Sequence, residues 1–147
     1  MILRFERSLA APPEAVWPLL TVPHEMNRWS EAKVSAVAPG AGGAHDGVGA
    51  TRRVSVPAFG FTSTLDEEVV ESERYTRFAY RVVRGGALRN HRGTQRLALV
   101  DGGGSALVWE VRFEAAVPGL ERVLGAILRP RLSRSLDVLV AIVAGER

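Results

Sequence analysis

The sequence contains no cysteine. That excludes a disulfide framework and a thiolate metal site, and it suits a reducing compartment. Lysine is nearly absent as well: Lys33 is the only one, so the positive charge is almost entirely arginine. Of the three histidines, His24 and His45 have neither the spacing nor the neighbours of a metal site, and no His/Asp/Glu cluster accompanies them. Long hydrophobic runs are missing; the longest uncharged one, residues 138–144, is too short to span a bilayer. The first residues, Met-Ile-Leu-Arg-Phe-Glu-Arg, interrupt their apolar run with charge at once, unlike a signal peptide. There is no nucleophile elbow and no dinucleotide fingerprint, and Gly102-Gly103-Gly104 falls between two strand-like segments instead of opening a helix, which removes a phosphate cradle. The expectation is a soluble cytoplasmic protein with no integral membrane segment, no metal and no cofactor.

What is present fits one domain over residues 1–147, because 46% hydrophobic residues in a chain of that length can form a sizeable core. The formal charge of +3 and a pI near 10.1 invite a nucleic-acid reading. The arginines, however, are scattered through strand-like segments in alternation with apolar residues, with no recognition helix or aromatic stacking pattern. Together with abundant Ala and Gly, this points to a GC-rich bacterial coding bias, and no nucleic-acid partner is expected.

The clearest signal is the last stretch, residues 118–144. Leu120, Val123, Leu124, Ile127, Leu128, Leu132, Leu136, Leu139, Val140 and Val143 recur every three or four residues, one continuous apolar stripe on a long helix. Such a stripe needs a broad apolar partner, and a curved sheet supplies one. Pro130 is expected to bend or break this helix near Leu128.

The chain before it reads as that sheet. Residues 3–9 alternate as a strand, 15–20 and 23–29 form two short helices, and period-two segments follow at 33–38, 48–56, 61–71, 76–84, 88–100 and 106–115. The Gly- and Ala-rich segment 39–47 is expected to be the most mobile loop. Consecutive hairpins make the sheet antiparallel.

Strand parity selects the inner face. It turns Phe78, Tyr80 and Val82 inward, with Leu107, Trp109, Val111 and Phe113 from the last strand. Leu97 and Leu99 are an inward pair whose parity carries back to Gln95 and His91; Leu65, Glu67 and Val69 share a face, and Val54 and Val56 bring Arg52 with them. A buried carboxylate is costly unless paired, so Glu67 and Arg52 on adjacent strands either satisfy each other or serve a ligand. Trp17 and Trp29 read as core and helix-docking residues.

Several short motifs occur in a suggestive order: Ala15-Val16-Trp17, Asn27-Arg28-Trp29, Gly47-Val48-Gly49-Ala50-Thr51-Arg52 and Leu65-Asp66-Glu67-Glu68-Val69-Val70-Glu71. Phe78-Ala79-Tyr80, Leu88-Arg89-Asn90-His91, Gly103-Gly104 with Val108-Trp109, and Pro118 continue it. Over essentially the whole chain this resembles the START-like, or SRPBCC, superfamily of birch-pollen-allergen-like proteins, polyketide cyclase/dehydrase-like proteins and abscisic-acid receptors. The resemblance implies an α+β helix-grip fold, a seven-stranded antiparallel curved sheet wrapped around a long C-terminal helix, with two short helices after the first strand. It implies a hydrophobic cavity between sheet and helix, gated by the loops at residues 57–61 and 84–90. His91 matches a place that contacts the ligand network in abscisic-acid receptors, although the residue type differs.

The resulting ligand-facing set is Glu67, Phe78, Tyr80, His91, Gln95 and Trp109 from the sheet, with Ile127, Leu128, Leu132 and Ser135 from the helix. A few polar groups in an apolar wall suit a hydrophobic or amphipathic small molecule, such as a lipid, isoprenoid or polyketide. The alternative is a polyketide aromatase/cyclase or dehydratase-like enzyme, with His91 as general base and Tyr80 and Arg52 as polarising groups. The expected partner is a small hydrophobic ligand, and both a monomer and a homodimer fit the sequence.

Overall fold

A computed structural model describes residues 1–58 and 60–145. The chain runs β1 (Ile2–Leu9), α1 (Pro13–Thr21), α2 (Pro23–Met26), β2 (Lys33–Ala38), β3 (Thr51–Ala58), β4 (Phe61–Glu73), β5 (Arg77–Gly85), β6 (Arg89–Leu99), β7 (Ser105–Glu114) and α3 (Leu120–Val143). The strands form one antiparallel sheet in the order β1-β7-β6-β5-β4-β3-β2. Successive hairpins carry the chain from β2 to β7, and β1 closes the far side by pairing with β7, Leu3 opposite Val111 and Phe5 opposite Trp109. This is the helix-grip architecture, a curved sheet holding α3. Phe59, within the expected break after β3, lies outside the described residues.

Local chemistry explains where the elements begin. Pro12 and Pro13 sit at the start of α1, where a missing N–H costs nothing. The third strand starts at Thr51, not at 48, because residues 47–50 are a turn: Gly49 has φ 92°, and Ala50 N–H donates to the Gly47 carbonyl at 3.0 Å. α2 ends at Met26, earlier than the expected 29, and a further turn brings Trp29 inward so that its indole N–H donates to the Leu19 carbonyl at 2.7 Å.

Alternation holds along the sheet. Leu65, Glu67 and Val69 are buried, as are Phe78 and Tyr80, and Leu107, Trp109, Val111 and Phe113. Leu99 is the exception: Leu97 is buried, but Leu99 is 66% exposed. It is the last residue of β6, beside the turn at residues 100–104, where the sheet has run out from under its cover.

The helix departs from two of its sequence expectations. Of the bend or break expected at Pro130, the break does not occur, since α3 is continuous through it. Ala126, whose carbonyl lacks its usual donor because Pro130 has no N–H, is exposed along with Pro130, so water can take the donor's place. Nor is the apolar stripe uniformly buried. Leu136 and Leu139 are sealed in the core, Leu124, Ile127, Leu128 and Leu132 are only half-buried, and Leu120 and Val123 are exposed.

The core is correspondingly divided. A large cluster joins β1, β5–β7, α1 and the C-terminal half of α3 around Phe78, Phe113, Leu136 and Leu139. A small one, Met26, Val34, Val54 and Leu65, lies toward β2–β4.

The loop expected to be most mobile is anchored at Asp46. Its buried carboxylate accepts from Arg74 Nε at 2.6 Å and Nη2 at 2.8 Å, and from the Trp17 indole N–H at 2.8 Å. The Arg74 guanidinium, helped by the Trp17 N–H, holds the Asp46 carboxyl down at about 2. Since its folded-state pKa lies below the ordinary value of 3.8, the stabilisation is complete above about pH 4 and fades as the pH falls toward 2. Asp46→Ala leaves the buried Trp17 N–H without an acceptor, a cost of about 1–3 kcal/mol. Urea titrations of wild type and variant are expected to differ by at least that amount at pH 7 and by less near pH 2, where a protonated Asp46 loses the Arg74 ion pair and keeps only the Trp17 hydrogen bond; an undiminished gap at low pH would contradict the assignment.

Candidate functional site

The two core clusters fail to meet because a cavity of about 380 Å³ separates them, between the sheet and the first two thirds of α3. That is several times the room needed for one water molecule. Its helical side is Leu124, Ile127, Leu128 and Leu132, which explains why those residues are only half-buried. Val54, Leu65, Val82 and Val111 supply apolar sheet wall opposite.

The polar end starts from register. Arg52 and Glu67 are opposite one another on β3 and β4, and Arg52 Nε donates to Glu67 Oε1 at 2.8 Å, with the side chains only 4% and 9% exposed. The guanidinium also reaches the Met26 sulfur at 3.0 Å and lies 5.0 Å from the Tyr80 ring centre and 5.3 Å from that of Phe78. These contacts suit a planar, delocalised cation in a place where water is scarce.

Tyr80 faces Gly93 across β5 and β6, and its ring lies over that glycine so closely that a Cβ at position 93 would collide with it. The absence of a side chain at Gly93 thus fixes how Tyr80 sits against the wall. Burial, reinforced by the charge of Glu67, pushes the Tyr80 hydroxyl far above its usual range, so it stays a neutral phenol. His91 reaches the wall across a bulge in β6, where the pairing slips between Arg89 and Arg92 and Asn90 has φ 49°. Burial pushes its pKa down, with Glu67 pulling weakly the other way, which leaves a neutral imidazole at pH 7.

Of the residues drawn from the sequence, Glu67, Tyr80, His91, Gln95 and Trp109 come together on the sheet side of this cavity. Ile127, Leu128, Leu132 and Ser135 join them from α3. Phe78 does not. It is fully buried in the solid cluster, its ring edge-on to Trp17 at 5.8 Å, so parity turned it inward without placing it at the empty space. Ser135 lies on the wall with its Oγ already accepting from the Glu31 N–H at 3.2 Å.

The loops at 57–61 and 84–90 contribute Phe61, Gly85, Gly86 and Leu88 to the wall, with Phe61 64% exposed. Beside them stands a clasp that sequence reasoning missed. Arg131 of α3 pairs with Glu31 through both oxygens, at 2.6 and 2.9 Å, and also donates to the Pro57 carbonyl, tying helix, β2 approach and β3–β4 hairpin together. The signal was available, since Arg131 stands four residues from both Ile127 and Ser135 and so shares their helical face. Trp29, read as core, is also a wall residue.

Among the described residues, no group of three or more His, Asp or Glu side chains is placed to hold a metal ion. No helix among them is long and apolar enough to cross a membrane.

The family described as polyketide cyclase / dehydrase and lipid transport matches this chain over residues 3–144. No curated protein matches its sequence. Among solved structures, it is similar to TTHA0849 of Thermus thermophilus, at 20% identity with a TM-score of 0.79 over 99% of this chain and 98% of that one. It is equally close in shape to Zhui, an aromatase/cyclase from Streptomyces, at 17% identity and a TM-score of 0.79 over 98% and 93% of the two chains. A Thermobifida fusca protein solved in solution follows, at 22% identity, a TM-score of 0.75 and coverages of 97% and 92%. At these identities the likeness concerns the fold.

Proposed function

The chain belongs to the polyketide cyclase / dehydrase and lipid transport family, and from that premise we propose that it binds a hydrophobic or amphipathic small molecule, of lipid, isoprenoid or polyketide type, between the sheet and α3. One observation carries the reading: the core is split by a cavity of about 380 Å³ whose wall is mostly apolar and whose two ion pairs, Arg52–Glu67 and Arg131–Glu31, are internally neutralised. A preformed apolar space with a few polar groups at one end orients a ligand without demanding that it be charged.

The enzymatic alternative, a polyketide aromatase/cyclase or dehydratase-like activity, has one observation in its favour, the uncharged His91 on the wall, one ring nitrogen of which can accept a proton. Against it, the Arg52 guanidinium already engages Glu67 and is not free to polarise a substrate. Binding without turnover is therefore the better-supported function.

Native mass spectrometry of the purified protein tests it. A co-purifying compound of definite mass is expected, released on denaturation. An apo mass, together with failure to bind a neutral hydrophobic dye such as N-phenyl-1-naphthylamine, would overturn the binding reading.

A further inference from the structure

The Glu31–Arg131 clasp has the cavity on one side and a second, more open groove on the other. That groove, of about 380 Å³, lies along the outside of α3. Trp29, Ser30, Glu31, Arg131 and Ser135 line both spaces, so the clasp is part of the partition between them. Arg134 and Val138 complete the outer side.

The two ion pairs of the cavity wall differ in how firmly they are shut. Arg52 and Glu67 are 4% and 9% exposed, so parting them strands a charge where water is scarce. Glu31 is 42% exposed and Arg131 20%, and a pair with that access to water is worth only about 0–1 kcal/mol. The clasp can therefore open cheaply. It also carries surplus charge. Arg134 lies three residues beyond Arg131 and shares its helical face. Among the described residues no carboxylate pairs with Arg134, and Asp137, the next acid along α3, is engaged by Arg7 at 3.2 Å. Two guanidinium groups thus face one carboxylate in the groove. The Arg131 guanidinium holds the Glu31 carboxyl below the usual carboxylate range, and the charge of Arg134 adds to the pull, so both cations act on the same spot. Glu31 itself shows what that spot accepts: its two oxygens sit in the fork of Arg131 at 2.6 and 2.9 Å, the bidentate arrangement a guanidinium offers to a carboxylate or phosphate. The main chain at Glu31 is held separately, by its N–H donating to Ser135 Oγ at 3.2 Å, so the side chain can swing out without detaching this segment from α3.

We propose that Arg131 and Arg134 form a seat for the anionic headgroup, carboxylate or phosphate, of a molecule whose apolar body lies in the cavity, with Glu31 as an internal stand-in that the headgroup displaces. Ile127 and Leu128 line the cavity one helical turn before Arg131, so an apolar chain lying against them ends beside the seat. The ligand class is an amphipathic acid. The polar groups deeper in the cavity ask for no charge; the groove at its partition does.

This seat presupposes the small-molecule binding proposed above, and the experiment keeps the two apart. Decan-1-ol, decanoate and decyl phosphate share a chain length and differ in the head; each competes with N-phenyl-1-naphthylamine in a displacement titration at neutral pH. In wild type at least one of the two anions is expected to bind about threefold more tightly than the alcohol, the worth of a solvent-accessible charge contact. The anion that gains more identifies the head. Glu31→Gln removes the competitor and should raise that preference to about tenfold, whereas Arg134→Gln should bring it toward one. The preference should also shrink in about 0.5 M sodium chloride. A clasp that only held the fold together would, once cut by Glu31→Gln, alter all three probes alike, and thermal melts verify that each variant is folded. A preference that Glu31→Gln does not raise, or that Arg134→Gln leaves unchanged, overturns the anion seat and leaves the cavity reading intact. A dye that does not bind at all overturns the cavity reading itself.

Discussion

Arg52→Ala is expected to lower the free energy of unfolding by about 3–5 kcal/mol, among the largest losses available to a single substitution in this chain. The loss does not measure attraction between Arg52 and Glu67. Removing the guanidinium leaves the Glu67 carboxylate, 9% exposed, without the cation it pairs with. Taking an ion from water into such surroundings is expensive, and the pair is tolerated only because each half compensates the other. The double variant Arg52→Met with Glu67→Leu is therefore expected to recover most of the loss, to within about 1–2 kcal/mol of wild type or above it, since nothing charged is then left behind. Urea denaturation of the four proteins of this cycle provides the values. Were Arg52→Ala to cost less than about 1 kcal/mol, cavity water would be solvating Glu67, and the polar end of the site would be wet.

The two outcomes bear on how the site was legible in the sequence at all. Parity placed Arg52 and Glu67 on one face from the pattern of their neighbours, and register then set them side by side. The same rule recovered Tyr80, Gln95 and Trp109, and recovered His91 although a bulge intervenes. It misjudged Leu99, since alternation reports which face a side chain points to and says nothing about whether that face is still covered. Phe78 shows the related limit: pointing inward is not the same as facing empty space. Helical spacing found the stripe of α3 but could not tell the sealed Leu136 from the cavity-facing Leu128, because both are leucines on one face. Asp46 and the Glu31–Arg131 clasp escaped for a different reason. Each depends on a loop residue meeting a partner distant in sequence, and irregular segments have no period from which to infer contacts.

Leu128→Trp addresses the empty space directly, and its expected result is loss of at least about tenfold in affinity for any cavity ligand with little change in stability. Overpacking a filled core costs about 1–3 kcal/mol because neighbouring side chains are driven off their rotamers. Leu128 is half-buried on the cavity wall, so an indole there gains contacts across the void without displacing anything, and its cost should stay below about 1 kcal/mol. Leu136 is the internal control. It lies two turns further along the same helix, is 1% exposed, and belongs to the solid cluster with Phe113 and Leu139. Leu136→Trp is expected to carry the full overpacking cost, and Leu128→Trp to escape it. Thermal melts compare the two costs, and titration with N-phenyl-1-naphthylamine reads the loss of binding. If both substitutions destabilise equally, side chains or ordered water fill the space between helix and sheet. If Leu128→Trp is tolerated yet dye binding is unchanged, the ligand occupies some other surface. Tolerance combined with lost binding is the result that follows from a helix gripped tightly at its C-terminal half and held away from the sheet at its N-terminal half.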